Sequence, residues 1–170
     1  MKMPFSAGAL RLILLGLLAS ASVLPMACKK DDKVEVKDYS GIDDDIIKKY
    51  IADNAITNAQ KQPSGLYYVP IVTAPNGVQA TAGKTVSVLY TGRYIDGRVF
   101  DSSINPANPF RFLLGNGQVI KGWDEGIALM RKGEKGLLMI PSALAYGPSG
   151  SGHIPPNTVL RFEVELTNVQ

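Results

Sequence analysis

The side chains in this sequence that could do chemistry are few, and most are aromatic. Among 170 residues there is one tryptophan (Trp123), one histidine (His153) and one cysteine (Cys28). A single cysteine excludes an internal disulfide. One His and one Cys make no metal-ligand set, so neither a metal nor a cofactor is expected. What remains is Tyr90, Phe100, Phe110, Trp123, Tyr146 and Phe162, with the carboxylate of Asp101 directly after Phe100. By type, these residues build either a packed core or a water-poor pocket. Trp123, Ile127 and Met130 fall at i, i+4 and i+7, an apolar helix face that by spacing alone reads as core. Phe100, Phe110 and Phe162 fit a sheet core equally well. Tyr90 and Tyr146 could be core tyrosines with satisfied hydroxyls, and Asp101 a turn or capping residue. His153, beside Ile154 in a Gly- and Ser-rich stretch, reads as a solvated loop residue.

The elements that must hold these residues are mostly strands. Leu66–Val72 is rich in strand formers, although Pro70 demotes part of it to an edge or a bulge. Pro75-Asn76-Gly77 is a turn. A strand over 86–95 reaches Asp96-Gly97, a hairpin signal of type I′, and returns over 98–101. Residues 110–114 and 135–140 read as further strands. In 159–169, Arg161, Glu163, Glu165 and Thr167 alternate with Leu160, Phe162, Val164 and Leu166, which predicts one wet face and one face packed on a helix. Residues 121–130 give that helix. The class is α+β: an antiparallel sheet and one short helix around one core.

In order, the chain carries Tyr90-Thr91-Gly92, Phe100-Asp101-Ser102-Ser103, Pro109-Phe110-Arg111-Phe112, Val119-Ile120-Lys121-Gly122-Trp123, Ala145-Tyr146-Gly147 and Ile154-Pro155-Pro156. Each block is weak alone, but the ordered set over residues 64–170 closely resembles the FKBP-type peptidyl-prolyl isomerases. The resemblance implies a twisted antiparallel sheet wrapped around the short helix, with a flap over residues 145–156. It implies Asp101, Tyr146, Ile120 and Trp123 as catalytic residues, with the Tyr146 hydroxyl and the Ile120 N–H as donors to substrate carbonyls. Tyr90, Phe100, Phe110, Val119, Ile154 and Phe162 would contact the substrate. The activity implied is rotation of X-Pro peptide bonds, with proline-containing polypeptides as substrates and the macrolides FK506 and rapamycin as further ligands. A non-catalytic module gripping proline-containing or unfolded segments is the alternative. A third reading makes the domain a scaffold whose N-terminal helix holds a partner. Two departures stand out. Pro106 replaces an arginine that some members place near the pocket aspartate, and the flap is about one residue short.

Ahead of this domain, residues 1–27 have the layout of a secretory signal: Lys2 and Arg11, an apolar run from Leu12, then small residues. The run is roughly a dozen residues, short of the ~20 of a spanning helix. It ends Leu24-Pro25-Met26-Ala27-Cys28, which resembles a bacterial lipoprotein signal and implies lipidation of Cys28. The location then expected is the outer membrane of a Gram-negative cell envelope, with the domain periplasmic or surface-exposed. A plain signal with an incidental thiol is the other reading. Lys2 and Arg11 are two of the 18 basic side chains, so the mature chain carries 16 against 15 acidic ones. Near-neutral charge leaves little electrostatic steering, and no basic run is interleaved with aromatics, so nucleic acid is not expected as a partner. Residues 28–42 read as a charged linker. A helical extension follows over 43–63. Its acidic run Asp43-Asp44-Asp45 suits a helix N-terminus, and Ile46, Ile47, Tyr50, Ile51 and Ile56 recur at helical spacing. Pro63 and Gly65 would stop it. Docking on its own domain or simple spacing is favoured over pairing with another chain.

Overall fold

The computed structural model describes residues 37–170. The signal segment, Cys28 and the linker up to residue 36 lie outside the described residues. Among the described residues, seven strands form one sheet, antiparallel at every pairing. They are β1 (Gln60–Lys61), β2 (Tyr67–Val72), β3 (Thr85–Tyr94), β4 (Val99–Ser103), β5 (Phe110–Leu113), β6 (Lys135–Ile140) and β7 (Leu160–Val169). Their order is β1-β2-β6-β7-β3-β4, with β5 also on β3. Helix α1 (Ser40–Asp53) precedes the sheet, and α2 (Lys121–Ala128) joins β5 to β6. This is the α+β class the sequence predicts. Pro70 lies where the β2–β6 register slips, between Pro70 and Val72, because proline has no N–H for the ladder.

The β3–β4 hairpin is not type I′. Tyr94 N–H donates to the Arg98 carbonyl and Gly97 N–H to the Tyr94 carbonyl, so the loop has three residues. Gly97 has a φ of +95° while Asp96 stays in the negative range, and type I′ needs positive φ at both central residues. The loop is instead a turn closed by a left-handed glycine, the G1-bulge form.

One core lies between α2 and the sheet. Trp123 and Ile127 from α2, and Met130 just past it, pack on Phe112, Leu138, Leu160 and Phe162. Gly122 and Gly126 permit the close approach: a Cβ at Gly122 would strike the Ile140 side chain, and one at Gly126 would stand 2.6 Å from Leu138 Cδ2.

A second core corrects the expectation of a single core and a wet outer face. Ile47 of α1 is wholly buried against Tyr67 and Val69 of β2, Leu137 and Met139 of β6, and Val159. Side chains alternate across a strand, so in β6 Leu138 and Ile140 serve α2 while Leu137 and Met139 serve α1. The unbroken apolar run in β6 is the mark of a strand covered on both faces.

The helix α1 also differs in its bounds. It starts at Ser40, where Asp38 accepts the Ser40 N–H at 2.9 Å, so Asp43–Asp45 lie inside the helix rather than ahead of it. It ends at Asp53, well short of Pro63. Ile56 N–H donates to the Ile51 carbonyl and Ala55 N–H to the Ala52 carbonyl, with Ala55 at φ +50°. This is a Schellman motif, complete with its Ile51–Ile56 apolar pair in the second core. Pro63 therefore does not terminate the helix.

Candidate active site

Four strands, one helix and a long loop bring the aromatic set together. Tyr90 stands on β3, Phe100 and Asp101 on β4, Phe110 on β5, Phe162 on β7 and Trp123 on α2. Trp123 lies at the centre, with ring centroids 4.8 Å from Tyr90, 5.2 Å from Phe162, 5.8 Å from Phe112 and 5.9 Å from Phe110. Phe100 meets Phe162 edge-on at 5.4 Å. These tilted and edge-on pairings suit the ring quadrupoles. Trp123 is only 4% exposed and so makes a floor, whereas Phe110 at 38% and Tyr146 at 36% make a rim. Val119 and Ile120, half-buried, precede α2 and pack against the same core. Ile154 is buried in that core from the flap side.

Gly92 is what lets two of the rings meet. A Cβ there would stand 2.7 Å from Phe100 Cζ and 2.9 Å from Phe162 Cε1. Tyr90, Gly92 and Tyr94 share one face of β3 by alternation.

The polar groups divide by whether they are already engaged. Asp101 accepts the Tyr90 hydroxyl through Oδ2 at 2.7 Å and the Ser102 N–H through Oδ1 at 2.8 Å. Both of its oxygens are in use, which suits an orienting group better than a proton shuttle. No Arg or Lys among the described residues forms an ion pair with Asp101, in line with Pro106 replacing a basic residue; Tyr90 and Ser102 satisfy the carboxylate instead. Burial, then the hydrogen bond to Asp101, pushes the Tyr90 phenol well above its ordinary range. Burial, then the Asp101 charge, also raises Tyr146. Both phenols are therefore protonated donors at neutral pH, but Tyr90 is occupied. The Tyr146 hydroxyl and the Ile120 N–H have no protein acceptor among the described residues. Trp123 Nε1 is likewise buried without a partner.

Two flap contacts were not legible in the sequence. Tyr94 OH donates to the His153 carbonyl at 3.0 Å. His153 Nε2 lies 3.3 Å from the Phe100 carbonyl oxygen, a hydrogen bond for the tautomer protonated at Nε2. His153, read as merely solvated, thus joins the flap to the strand carrying Phe100 and Asp101. Tyr94 also packs on the Phe100 ring at 5.3 Å. Its place two residues beyond Gly92 on the pocket face of β3 was the available signal.

The site is thus an aromatic cup with a protonated phenol and a backbone N–H beside it, on an antiparallel sheet around a short helix. The family model described as FKBP-type peptidyl-prolyl cis-trans isomerase matches residues 77–167, and the chain belongs to that family. It is 47% identical over 126 residues to peptidyl-prolyl cis-trans isomerase FKBP53 of Arabidopsis thaliana, covering 72% of this chain and 26% of that protein. It is 51% identical over 94 residues to an FK506-binding protein of Neisseria meningitidis serogroup C, covering 55% of this chain and 86% of that one. Among solved structures, FkpA from Escherichia coli superposes with a TM-score of 0.66 at 38% identity, over 77% of this chain and 61% of that one. The chain thus spans only about a quarter of the Arabidopsis relative and less than two thirds of FkpA.

Proposed function

We propose that this chain is a peptidyl-prolyl cis-trans isomerase acting on X-Pro bonds of exported or envelope polypeptides. The observation that carries the reading is the aromatic cup over Trp123 with two unengaged donors, Tyr146 OH and Ile120 N–H, beside it. Amide resonance sets the uncatalysed barrier to rotation at roughly 18–20 kcal/mol, so X-Pro bonds isomerise in tens to hundreds of seconds. No bond to a substituent breaks, so no nucleophile is needed. The planar amide is strongly dipolar, and the twisted transition state has lost resonance and much of that dipole. A water-poor aromatic cup therefore favours the twisted form over the planar one.

In this reading the proline ring lies over the Trp123 indole, walled by Tyr90, Phe100, Phe110 and Phe162, with Val119 and Ile154 closing the sides. Tyr146 and Ile120 hold the flanking carbonyls, so rotation is confined to one bond. Asp101 orients Tyr90. Proton transfer has no part, which agrees with a carboxylate whose two oxygens are already engaged. The same cup would take FK506 or rapamycin, with affinity altered by the short flap.

We further propose that Cys28 is lipidated and tethers the domain to the outer membrane of a Gram-negative envelope; the layout of residues 1–28 supports this. Replacing Cys28 with Ala should release the protein from membranes, and continued membrane partitioning would refute the anchor.

The activity is tested by NMR exchange on an X-Pro peptide, with and without FK506. Wild type should accelerate exchange and be inhibited by the macrolide. If it is no faster than the Trp123→Ala, Tyr146→Phe double variant, the enzyme reading is wrong, and peptide binding without acceleration would favour the non-catalytic module.

A further inference from the structure

Asp43 is a carboxylate in an unexpected place. It lies on α1, yet it is 1% exposed. Its Oδ2 accepts both the backbone N–H of Ser142 at 2.8 Å and the Ser142 hydroxyl at 2.6 Å, across 99 residues of sequence. Ser142 opens a single 3-10 turn, Ser142–Leu144, at the end of β6. Inside that turn Leu144 N–H donates to Pro141 and Ala145 N–H to Ser142. The leading N–H of a helical turn has no partner within it, and the residue before it, Pro141, has no side chain that can cap. Asp43 supplies the missing acceptor from a different element.

The next residue after Ala145 is Tyr146. Because the Tyr146 hydroxyl has no protein acceptor, hydrogen bonding at the ring's far end does not fix it; its position comes from the backbone that the capped turn sets. The joint is also costly to keep. Asp43 Oδ1 is buried without a partner, which opposes folding. Docking of α1 does not require it, since Ile47 and the Asp44–Lys61 ion pair already hold the helix.

We propose that Asp43 is a positioning residue for isomerisation: through Ser142 it sets the backbone that aims the Tyr146 hydroxyl at the substrate carbonyl, so α1 is part of the active-site framework. This rests on the isomerase reading given above.

Misplacement of a binding group by a fraction of an ångström lowers turnover steeply, so Asp43→Ala should cut kcat/KM about ten-fold, mostly in kcat. Asp43→Asn keeps an oxygen able to accept both Ser142 bonds and should stay within about two-fold of wild type. Ser142→Ala, which removes only the hydroxyl bond, should show a smaller loss than Asp43→Ala and serves where Asp43→Ala folds poorly. The deciding measurement is Asp43→Ala in a Tyr146→Phe background, where no further loss is expected. An undiminished loss there would mean that Asp43 acts only on stability, and wild-type activity in Asp43→Ala would also overturn the proposal. If wild type itself fails to accelerate exchange, the isomerase reading falls instead. The positioning is then read from the Tyr146 ring proton shifts, which should move in Asp43→Ala but not in Asp43→Asn; unmoved shifts refute it.

Discussion

Replacing Gly92 with Ala tests whether the ring geometry is what the pocket needs. The added Cβ would stand 2.7 Å and 2.9 Å from Phe100 Cζ and Cε2, and 2.9 Å from Phe162 Cε1. Carbon atoms rest at about 3.5–4.0 Å, so Phe100 must retreat by roughly 0.8 Å or more, and the ~0.6 Å needed at Phe162 must come from a shift of the β3 backbone. Phe162 is 3% exposed and wedged against Trp123, leaving it little room to move. Phe100 is half-buried on the short strand β4 and is the ring that yields. Overpacking of this kind costs about 1–3 kcal/mol. Gly92 has no positive φ, so alanine fits the backbone and returns about 0.4–1 kcal/mol through the unfolded chain. The net loss of stability should be about 1–2 kcal/mol, read by denaturant unfolding. The loss of activity should be larger in proportion, because Phe100 leaves its place: about ten-fold to a hundred-fold in kcat/KM by peptide exchange. A variant that keeps activity within two-fold while losing that stability would show that the Phe100 wall is not used, and the pocket reading would need rebuilding without it.

Three further outcomes follow from the second core and its helix. Ile47→Ala should destabilise the whole domain by about 2–5 kcal/mol, seen as a lower denaturant midpoint; an unchanged midpoint would mean α1 is only a spacer. Ala55→Gly should stabilise by about 1 kcal/mol, since alanine holds a left-handed conformation there that glycine adopts without strain; a lower Tm would contradict the Schellman end. Hydrogen bonds from Lys48, Lys61 and Tyr67 hold the Asp44 carboxyl far below the usual carboxylate range. A depressed folded value means its stabilisation is full above the unfolded value near ~4 and fades as pH falls below it. Asp44→Asn should therefore flatten the acid limb of the stability profile, and an unaltered acid limb would remove Asp44 from the joint.

Much of the site was written in the chain itself. The rings, their order and the helix face of Trp123, Ile127 and Met130 follow from residue type and local period, and both survive folding because each is a short-range property. The alternation in β7 placed Phe162 inward for the same reason. The unbroken apolar run in β6 carried the mark of a strand covered on both faces, yet one wet face was expected, because nothing local named a cover. Only the tertiary structure decided that α1 is the cover, that its aspartates turn inward to Ser142, Lys61 and Tyr67, and that its end is a left-handed Ala55 rather than Pro63. It alone placed His153 against the Phe100 carbonyl and Tyr94 against the flap. These contacts join residues far apart in the chain, and a side chain's type states what it can bond to but not which distant group the fold will bring within hydrogen-bond reach of it.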